Sequence, residues 1–460
     1  MLIQFSVSNF LSFNETQTFS MQAGKARKNI DRIFNSRRLK LTKCKVILGA
    51  NASGKSNLIY ALQFVKQLIV DGLPRNFSNK YFRLNPDKKI CPSKFEVEIL
   101  CASQIFVFGF SIILSSGEIL EEYLYKKVNQ ESTKLLYKRD TVEEQFIVGD
   151  YFKKEKVIAK LSNYGEDSIN DHDILFLSLI NQNKSKMYSE FPELNILKDI
   201  FNWFDDRLNI SFPSTILTGY PYFTNTNLAE ISNILNALGT GISELKIVEV
   251  PVEVIKNKLP NDLYNKIISD LEKAIAHMEP EDTNYPRIMA RSYKEFYTFE
   301  MRPDGALSIT TIEFSHENKN IYFDLNEESD GTARLLDLIE ILFKVSDNRI
   351  FVIDEIDRCL HPSLTVKLIE LFLSMAKFRN TQLIITSHES RLLASEILRN
   401  DEICFILKNS DGESILNPLE KYQLRADKKV YAAMFDGTLK DVLPFYNKEK
   451  MQNILAQDRM

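Results

Sequence analysis

The sequence predicts an α/β protein with a core sheet, an antiparallel β part and a helical insertion. An apolar strand, a glycine-rich loop and an amphipathic helix follow one another over residues 44–70. Two fully apolar strands, Ile350 to Ile353 and Gln382 to Thr386, alternate with helices in the last third, as expected of parallel strands buried on both faces. Alternating apolar and polar residues at 2–21 predict the antiparallel part.

The composition is that of an ordinary folded protein. The 460 residues include 15 Gly and 14 Pro, about half the average usage, which excludes collagen-like and disordered chains. Lys and Arg number 58 against 62 Asp and Glu, so the net charge of -4 indicates neither a nucleic acid nor a membrane as partner. No apolar run reaches membrane-spanning length and no signal peptide pattern is present, so we expect a cytoplasmic protein without membrane contact. The five cysteines include no CxxC pair, which gives little support for disulfides or a zinc site.

Changes in pattern divide the chain into four parts. Residues 1–150 are predicted to form an N-terminal lobe in which strands resume after the glycine-rich loop. Residues 151–291 carry helical runs broken by Asn, Asp and Pro, without sustained heptads, and are predicted to be a helical insertion. Residues 292–420 alternate strands with helices and form a C-terminal lobe, and residues 421–460 are assigned to a tail.

A basic segment runs from Lys25 to Lys45, with nine basic residues and one acidic residue, Asp31. Little apolar periodicity runs through it, so it is predicted to be an exposed loop. It is either a solvated loop or a contact for nucleic acid or protein, since clustered positive charge binds phosphate groups. The basic residues are Lys25, Arg27, Lys28, Arg32, Arg37, Arg38, Lys40, Lys43 and Lys45.

The glycine-rich loop at residues 49–56, Gly-Ala-Asn-Ala-Ser-Gly-Lys-Ser, fits the pattern GxxxxGK[ST] between a strand and a helix. In this pattern backbone N–H groups surround the phosphates of ATP, Lys55 bridges the β- and γ-phosphates, and the Ser56 hydroxyl ligates Mg²⁺. The alternative is a chance glycine-rich turn. The other residues predicted to bind the nucleotide here are Asn51, Ser53, Gly54 and Asn57.

Two carboxylates, Asp354 and Glu355, end the apolar strand that begins at Ile350. Ligands bind at the carboxyl edge of parallel strands, so both acids are predicted to lie in a site. Asp354 would hold Mg²⁺ through water, and Glu355 would orient and deprotonate the attacking water. The alternative is a strand that ends in an acidic turn.

A lone histidine, His388, follows the next apolar strand at the same kind of edge. One intervening helix would bring this strand beside the acidic strand, where His388 could contact the γ-phosphate and sense its hydrolysis. The alternative is a histidine satisfied in the core or in a loop.

The stretch at residues 328–332 precedes an apolar helix. Ser329 or Asp330 should cap this helix and leave the backbone N–H groups of Gly331 and Thr332 free, where an anion would fit. One lobe cannot bring two such loops to one nucleotide, so this one would act on the ATP of a partner subunit. The alternative is a plain helix cap.

In this order, the four elements resemble the ATPase head of the ABC superfamily in its SMC, RecF and OLD branch. The motif at residues 9–13, Asn-Phe-Leu-Ser-Phe, resembles the end of the first strand in that branch, and residues 328–332 stand where its signature motif is expected. The resemblance implies an ABC-type ATPase head that hydrolyses ATP with Mg²⁺. It also implies a homodimer or higher homo-oligomer in which two heads sandwich two ATP molecules, with Ser329 and Gly331 as signature contacts.

More narrowly, residues 1–21 and 354–362 resemble the RloA-like ATPases, which include the AriA subunit of bacterial anti-phage systems. This resemblance implies a sensor or scaffold subunit with a separate effector protein and a phage protein as trigger. By the same resemblance Asp357 lies in the D-loop at the dimer interface, although a surface acid is the alternative. The tail residues that share in it are Arg425, Tyr431, Gly437 and Pro444.

The sequence also departs from these families. Its signature is Glu-Ser-Asp-Gly, and Ala52 replaces a glycine that is common in the loop. The segment after His388 shows no acidic cluster and no room for a TOPRIM nuclease domain, so we expect the effector, a nuclease, to be a different protein. Three other functions stay open: a repair or replication ATPase that binds DNA through the basic segment, a transporter subunit, and a nucleotide-locked structural protein.

Overall fold

The fold is described from a computed structural model. The structure describes residues 1–26, 28–36, 39–129, 132–182, 184–213, 228–276, 278, 285–292, 295–317, 321–343, 348–394 and 397–422. Within these ranges, no helix has both the length and the apolar character needed to cross a membrane.

Strands and helices alternate along the described residues. The strands are β1 (Leu2–Ser8), β2 (Gln17–Ser20), β3 (Phe34–Asn35), β4 (Lys40–Leu41), β5 (Cys44–Leu48), β6 (Ser93–Cys101), β7 (Gln104–Ile113), β8 (Glu118–Lys127), β9 (Thr133–Asp140), β10 (Gln145–Val148), β11 (Leu208–Ser211), β12 (Glu244–Glu249), β13 (Arg287–Ser292), β14 (Glu295–Met301), β15 (Leu307–Ser315), β16 (Phe323–Asp324), β17 (Ile350–Ile353), β18 (Gln382–Thr386), β19 (Ile403–Lys408) and β20 (Ser414–Pro418). The α-helices are α1 (Lys55–Val70), α2 (Glu155–Asp167), α3 (Phe176–Asn181), α4 (Ser185–Glu190), α5 (Asn195–Asn202), α6 (Leu228–Ala237), α7 (Val252–Lys258), α8 (Asn261–Ala276), α9 (Asp330–Leu338), α10 (Pro362–Ala376) and α11 (Arg391–Ala394).

The chain forms two compact units, each made of segments that are distant in sequence. The first unit comprises residues 1–211, 346–356 and 369–460. The second unit comprises residues 212–345 and 357–368.

A seven-stranded antiparallel sheet lies in the first unit, in the order β10-β9-β8-β7-β6-β1-β2. Its strands alternate as half-buried antiparallel strands should: Phe95, Val97 and Ile99 of β6 are buried, whereas Lys94 is exposed. The ring of Phe95 lies 5.2 Å from that of Phe64 on α1. Aromatic packing therefore fixes α1 against this sheet.

A six-stranded core sheet completes the first unit, in the order β11-β17-β18-β5-β19-β20. The first five strands are parallel and β20 is antiparallel to β19. Every residue of β5, β17 and β18 is buried, as expected of parallel strands covered on both faces. Their carboxyl ends therefore meet at one edge of the sheet.

Helix α1 follows β5 and carries apolar residues at helical spacing, including the buried residues Leu58, Leu62 and Val65. It ends at Asp71, whose backbone N–H donates to the carbonyl oxygen of Gln67. This apolar face accounts for the position of the helix in the first unit.

The second unit contains an antiparallel sheet in the order β12-β15-β14-β13, with β16 paired to β15. Ile267 and Leu271 of α8 form a hydrophobic cluster with Phe299 of β14 and Ile309 of β15. Helix α9, which begins after Ser329, also belongs to this unit.

The predicted fold class is confirmed: the protein is α/β, with a core sheet around the glycine-rich loop and an antiparallel β part. The prediction that residues 151–291 are a helical insertion is wrong in one respect, because this range also contains β11, β12 and β13. Strand β11 has only four residues and directly follows a π-helix at Trp203–Arg207, so its alternation is too short to detect. Strands β9 and β10 were also not predicted.

The prediction of an exposed loop at residues 25–45 is only partly correct. Lys43 and Lys45 are each 4% exposed, and their Nζ atoms donate to the carbonyl oxygens of Ala376 and Asp401, both at 2.6 Å. These two lysines are therefore anchors of the core sheet. Three predicted basic residues, Arg27, Arg37 and Arg38, lie outside the described residues, as do the tail residues Arg425, Tyr431, Gly437 and Pro444.

Candidate functional site

The phosphate loop, residues 49–56, joins the end of β5 to the start of α1. Gly54 has a φ angle of 104°, a left-handed conformation that turns the chain into the helix. The Nζ atom of buried Lys55 donates hydrogen bonds to the carbonyl oxygens of Gly49 and Ala50, each at 2.9 Å. The lysine charge is therefore held inside the curve of the loop, among backbone groups that suit an anion.

Two serines outside the loop hold it in place. Ser414 Oγ on β20 lies 2.6 Å from the carbonyl oxygen of Ser53 and 2.7 Å from Ser12 Oγ. Asn57 Nδ2 donates to Ser12 Oγ at 2.7 Å. Sequence reasoning missed both serines, because Ser414 lies in no motif and Ser12 gave no sign of which group it contacts.

Replacing Gly54 by Ala should weaken ATP binding by about tenfold or more. A Cβ atom there would lie 2.1 Å from Ser414 Oγ and 2.7 Å from Ser12 Oγ, in a conformation that costs an L-residue about 1–2 kcal/mol. Gly72→Ala is the matched control: its φ is 87°, but nothing lies within 4 Å of the added Cβ. Thermal unfolding and ATP titration should show a small loss of stability for both variants and a loss of affinity for Gly54→Ala alone. Equal affinities would contradict the close fit.

The ends of β5, β17 and β18 bring the predicted elements to one edge. Ile353 lies opposite Ile385, which lies opposite Val46. The phosphate loop and Asp354 thus begin at the same level, with β18 between them. Adjacent strands lie about 4.8 Å apart, so the starts of the two elements are about 10 Å apart.

The acidic pair is held by β18. Asp354 is buried, and its Oδ1 accepts a hydrogen bond from Thr386 Oγ1 at 2.5 Å. The backbone N–H of Glu355 donates to the same Thr386 oxygen at 2.7 Å. Glu355 has a φ of 48°, an uncommon left-handed conformation for a residue with a side chain. Sequence reasoning missed Thr386, because its partners are far away in the chain.

Tyr60 is a second residue that sequence reasoning missed. It lies four residues after Ser56 on α1, so both face the same side of the helix. Burial first, and the negative charges of Asp354 and Glu355 second, raise the pKa of the Tyr60 hydroxyl above its usual value. The carboxylates and this face of α1 are therefore electrostatically coupled.

The predicted histidine, His388, lies just past the end of β18 and is exposed. The preceding residue is fixed at both ends: the Ser387 N–H donates to the Ile47 carbonyl oxygen at 3.1 Å, and its Oγ accepts from the Glu389 N–H at 2.9 Å. His388 thus stands at the edge that carries the loop and the acids.

Three predicted residues, Ser329, Gly331 and Asp357, lie in the second unit. Ser329 caps α9 as predicted, and its Oγ accepts from the Thr332 N–H at 3.0 Å. The prediction that this N–H is free is therefore wrong, because the cap occupies it. A Cβ atom on Gly331 would lie 3.0 Å from the Cys359 carbonyl oxygen, so the start of α9 packs closely on the turn that follows Asp357.

The residues at the edge of the core sheet fit a phosphate ligand. Ser53 Oγ is buried and has no hydrogen-bond partner among the described residues. Buried hydroxyls are normally paired, so an unpaired one inside this loop suits a polar ligand.

Magnesium also fits the donors that are present. Ser56 and Asp354 offer hard oxygen atoms, which Mg²⁺ prefers. Across the described residues, no group of three or more His, Cys, Asp or Glu side chains is suited to hold a metal ion. The donors therefore suit Mg²⁺ that is held by one or two protein ligands together with phosphate and water.

Comparison with known proteins gives one family. Residues 45–394 match the family described as "AAA domain, putative AbiEii toxin, Type IV TA system". That range includes the phosphate loop, the acidic pair and His388. No curated protein is significantly similar to this sequence.

Three solved structures are similar to the chain at low identity. A structure titled as the SmcHead bound to the C-winged helix domain of ScpA has 13% identity and a TM-score of 0.43, over 90% of this chain and 96% of that one. The SMC head domain from Thermotoga maritima has 14% identity and a TM-score of 0.31, over 91% and 98%. The Smc head domain with an extended coiled coil, bound to a ScpA domain derived from Pyrococcus furiosus, has 14% identity and a TM-score of 0.38, over 91% and 97%. Likeness at this level assigns no activity or partner to the chain.

Proposed function

The chain belongs to this family of AAA domains, and we propose that it is an Mg²⁺-dependent ATPase whose active site lies at the carboxyl edge of the core sheet. The observation that carries the proposal is the register of three strands. It puts the phosphate loop and the Asp354–Glu355 pair at one level, separated only by β18. A phosphate-binding loop and an acidic pair at one edge are the two parts that phosphoryl transfer to water requires.

Each residue has a role in this proposal. Lys55, now bonded to two loop carbonyl groups, would exchange them for phosphate oxygens, and the N–H groups at the start of α1 would bind the same phosphates. Glu355 would orient the attacking water and accept its proton. When bound by Ser56 and Asp354, Mg²⁺ would neutralise charge on the phosphates. His388 would contact the γ-phosphate.

We further propose that two chains assemble around ATP. Ser329 is exposed at the N-terminus of α9, where a helix favours negative charge. Gly331 lies against the turn that follows Asp357, so the two segments form one surface of the second unit. That surface would contact the ATP held by the phosphate loop of the partner chain.

The solution mass of Glu355→Gln should rise from the 53.2 kDa of one chain to about twice that value with Mg-ATP, and not with ADP. The reason is that slow hydrolysis traps ATP between two chains. Light scattering measures this mass directly. Adding Ser329→Arg to the same variant should prevent the rise, because a bulky charge would stand at the proposed surface. A large mass that nucleotide does not change would indicate a preassembled scaffold, and a monomer throughout would contradict the ATP sandwich.

The biological role that we propose is a sensor or scaffold subunit of an anti-phage defence system, with a separate effector. The description of the family as a toxin in a TA system supports a role in a system of more than one component. Plaque counts on cells that carry the gene with its neighbours should fall, and Lys55→Ala should restore them. Protection that persists in this variant, or that needs no second protein, would contradict the role.

DNA binding through residues 25–45 is the second candidate, and it is less favoured because Lys43 and Lys45 are buried. The exposed residues Lys25, Lys28 and Lys40 are still able to contact phosphates. DNA binding that weakens with salt and is lost in the double variant Arg37→Glu/Arg38→Glu would favour it. No binding at low salt would exclude it.

A further inference from the structure

The Thr386 hydroxyl makes two bonds that only a hydroxyl can make together. It has a single proton, which it donates to Asp354 Oδ1 at 2.5 Å. Its lone pairs remain available, and one accepts the Glu355 N–H at 2.7 Å. The orientation of the hydroxyl is thus fixed by two adjacent acidic residues, one through its side chain and one through its backbone.

The backbone of the acidic turn is fixed at three successive N–H groups. Those of Asp354 and Ile356 donate to the carbonyl oxygens of Ser211 and Thr386, at 2.8 Å and 3.1 Å. The middle one, that of Glu355, is held by the Thr386 hydroxyl. Glu355 adopts its left-handed φ of 48° between these bonds, and such conformations persist where the surrounding structure over-determines them. Without the hydroxyl, the middle restraint is lost.

Strand β18 also binds the strand that leads into the phosphate loop. Thr386 pairs with Ile47, and the Ser387 N–H donates to the Ile47 carbonyl oxygen. The last residues of β18 therefore contact the elements on both sides. His388 follows immediately, at the same edge.

We infer that Thr386 is a positioning residue for ATP hydrolysis: its hydroxyl fixes the Asp354 carboxylate and the Glu355 backbone in one arrangement. Any displacement of the β18 end then reaches both acids together. The inference rests on the proposed ATPase function and adds a residue to that site. Thr386 itself acts through Asp354 and Glu355.

The test compares Thr386→Val with Thr386→Ser. Valine has the shape of threonine without the hydroxyl, and serine retains the hydroxyl. Thr386→Val should lower kcat about tenfold, leave the KM for ATP within about twofold, and raise the Mg²⁺ concentration for half-maximal rate several-fold, as loss of a residue that orients ligands does. Thr386→Ser should stay within about threefold of the wild type in all three quantities.

Thr365→Val is the matched control, because the Thr365 hydroxyl is buried and has no partner among the described residues. This control should keep wild-type kcat and Mg²⁺ dependence, and thermal unfolding shows whether each variant is folded. A folded Thr386→Val with unchanged kcat and Mg²⁺ dependence would overturn the inference while the ATPase function stands. Thr386→Ser as impaired as Thr386→Val would also overturn it. A wild-type protein that does not hydrolyse ATP would refute the proposed function, and this inference with it.

Discussion

Glu355→Gln should slow ATP hydrolysis by a factor on the order of 10² or more, while ATP binding survives. Glutamine cannot accept the proton of the attacking water, so the general base is lost. The substitution changes no backbone contact, because the Glu355 N–H that bonds Thr386 remains. Glutamine also has nearly the same shape, so the left-handed backbone at this residue is no more strained than before. Phosphate release and equilibrium binding of an ATP analogue separate the two effects.

Glu389→Gln is the matched control for this result. Glu389 lies after the end of β18, where its Oε1 accepts from the Arg391 N–H at 2.8 Å. It makes the same chemical change close to His388, at a residue with no role in the proposed chemistry. Normal hydrolysis by Glu355→Gln, or equal losses in the two variants, would contradict the assignment of the general base.

Lys55→Ala should weaken ATP binding on the order of 10²-fold, since a hydrogen bond to a charged group contributes up to about 3 kcal/mol. The variant removes the positive charge that the loop encloses. It also leaves the carbonyl oxygens of Gly49 and Ala50 without the donor that they have now. Titration with ATP, in the presence of Mg²⁺, measures the affinity. Hydrolysis should fall with binding.

Lys66→Ala provides the comparison on the same helix. Lys66 Nζ donates to the carbonyl oxygens of Asp205 and Leu208, at 2.9 Å and 2.6 Å, and so ties α1 to the start of β11. Its loss should lower the melting temperature and leave the affinity for ATP unchanged. Similar losses of affinity in both variants would mean that Lys55 acts through the stability of α1 rather than at the phosphates.

Much of the core sheet could be predicted because its signals are local. The apolar runs of β17 and β18 and the spacing of the glycine-rich loop can be read within a few residues. The cap at Ser329 is equally local, since its partner is the Thr332 N–H. The same logic gave the order of the elements at the edge of the sheet.

The rest of the site depends on contacts between distant segments. Ser12 meets Ser414 across the full length of the first unit's sequence, and Thr386 meets Asp354 across helix α10. Residue counts also cannot distinguish a solvated lysine from a buried one. Lys45 looks like part of a basic loop until β5 places its ammonium group on the carbonyl oxygen of Asp401. Partners of this kind follow from the assembled sheet, because no periodicity records them.

Phosphate release from ATP by the purified wild-type protein, with Mg²⁺ and with a chelator, tests the central claim most directly. The claim is that the phosphate loop and the Asp354–Glu355 pair form one hydrolytic site. It predicts turnover that requires Mg²⁺, that is lost in Lys55→Ala through binding, and that is lost in Glu355→Gln without loss of binding. Release that survives both substitutions, or no release by a wild-type protein that binds Mg-ATP, would contradict it.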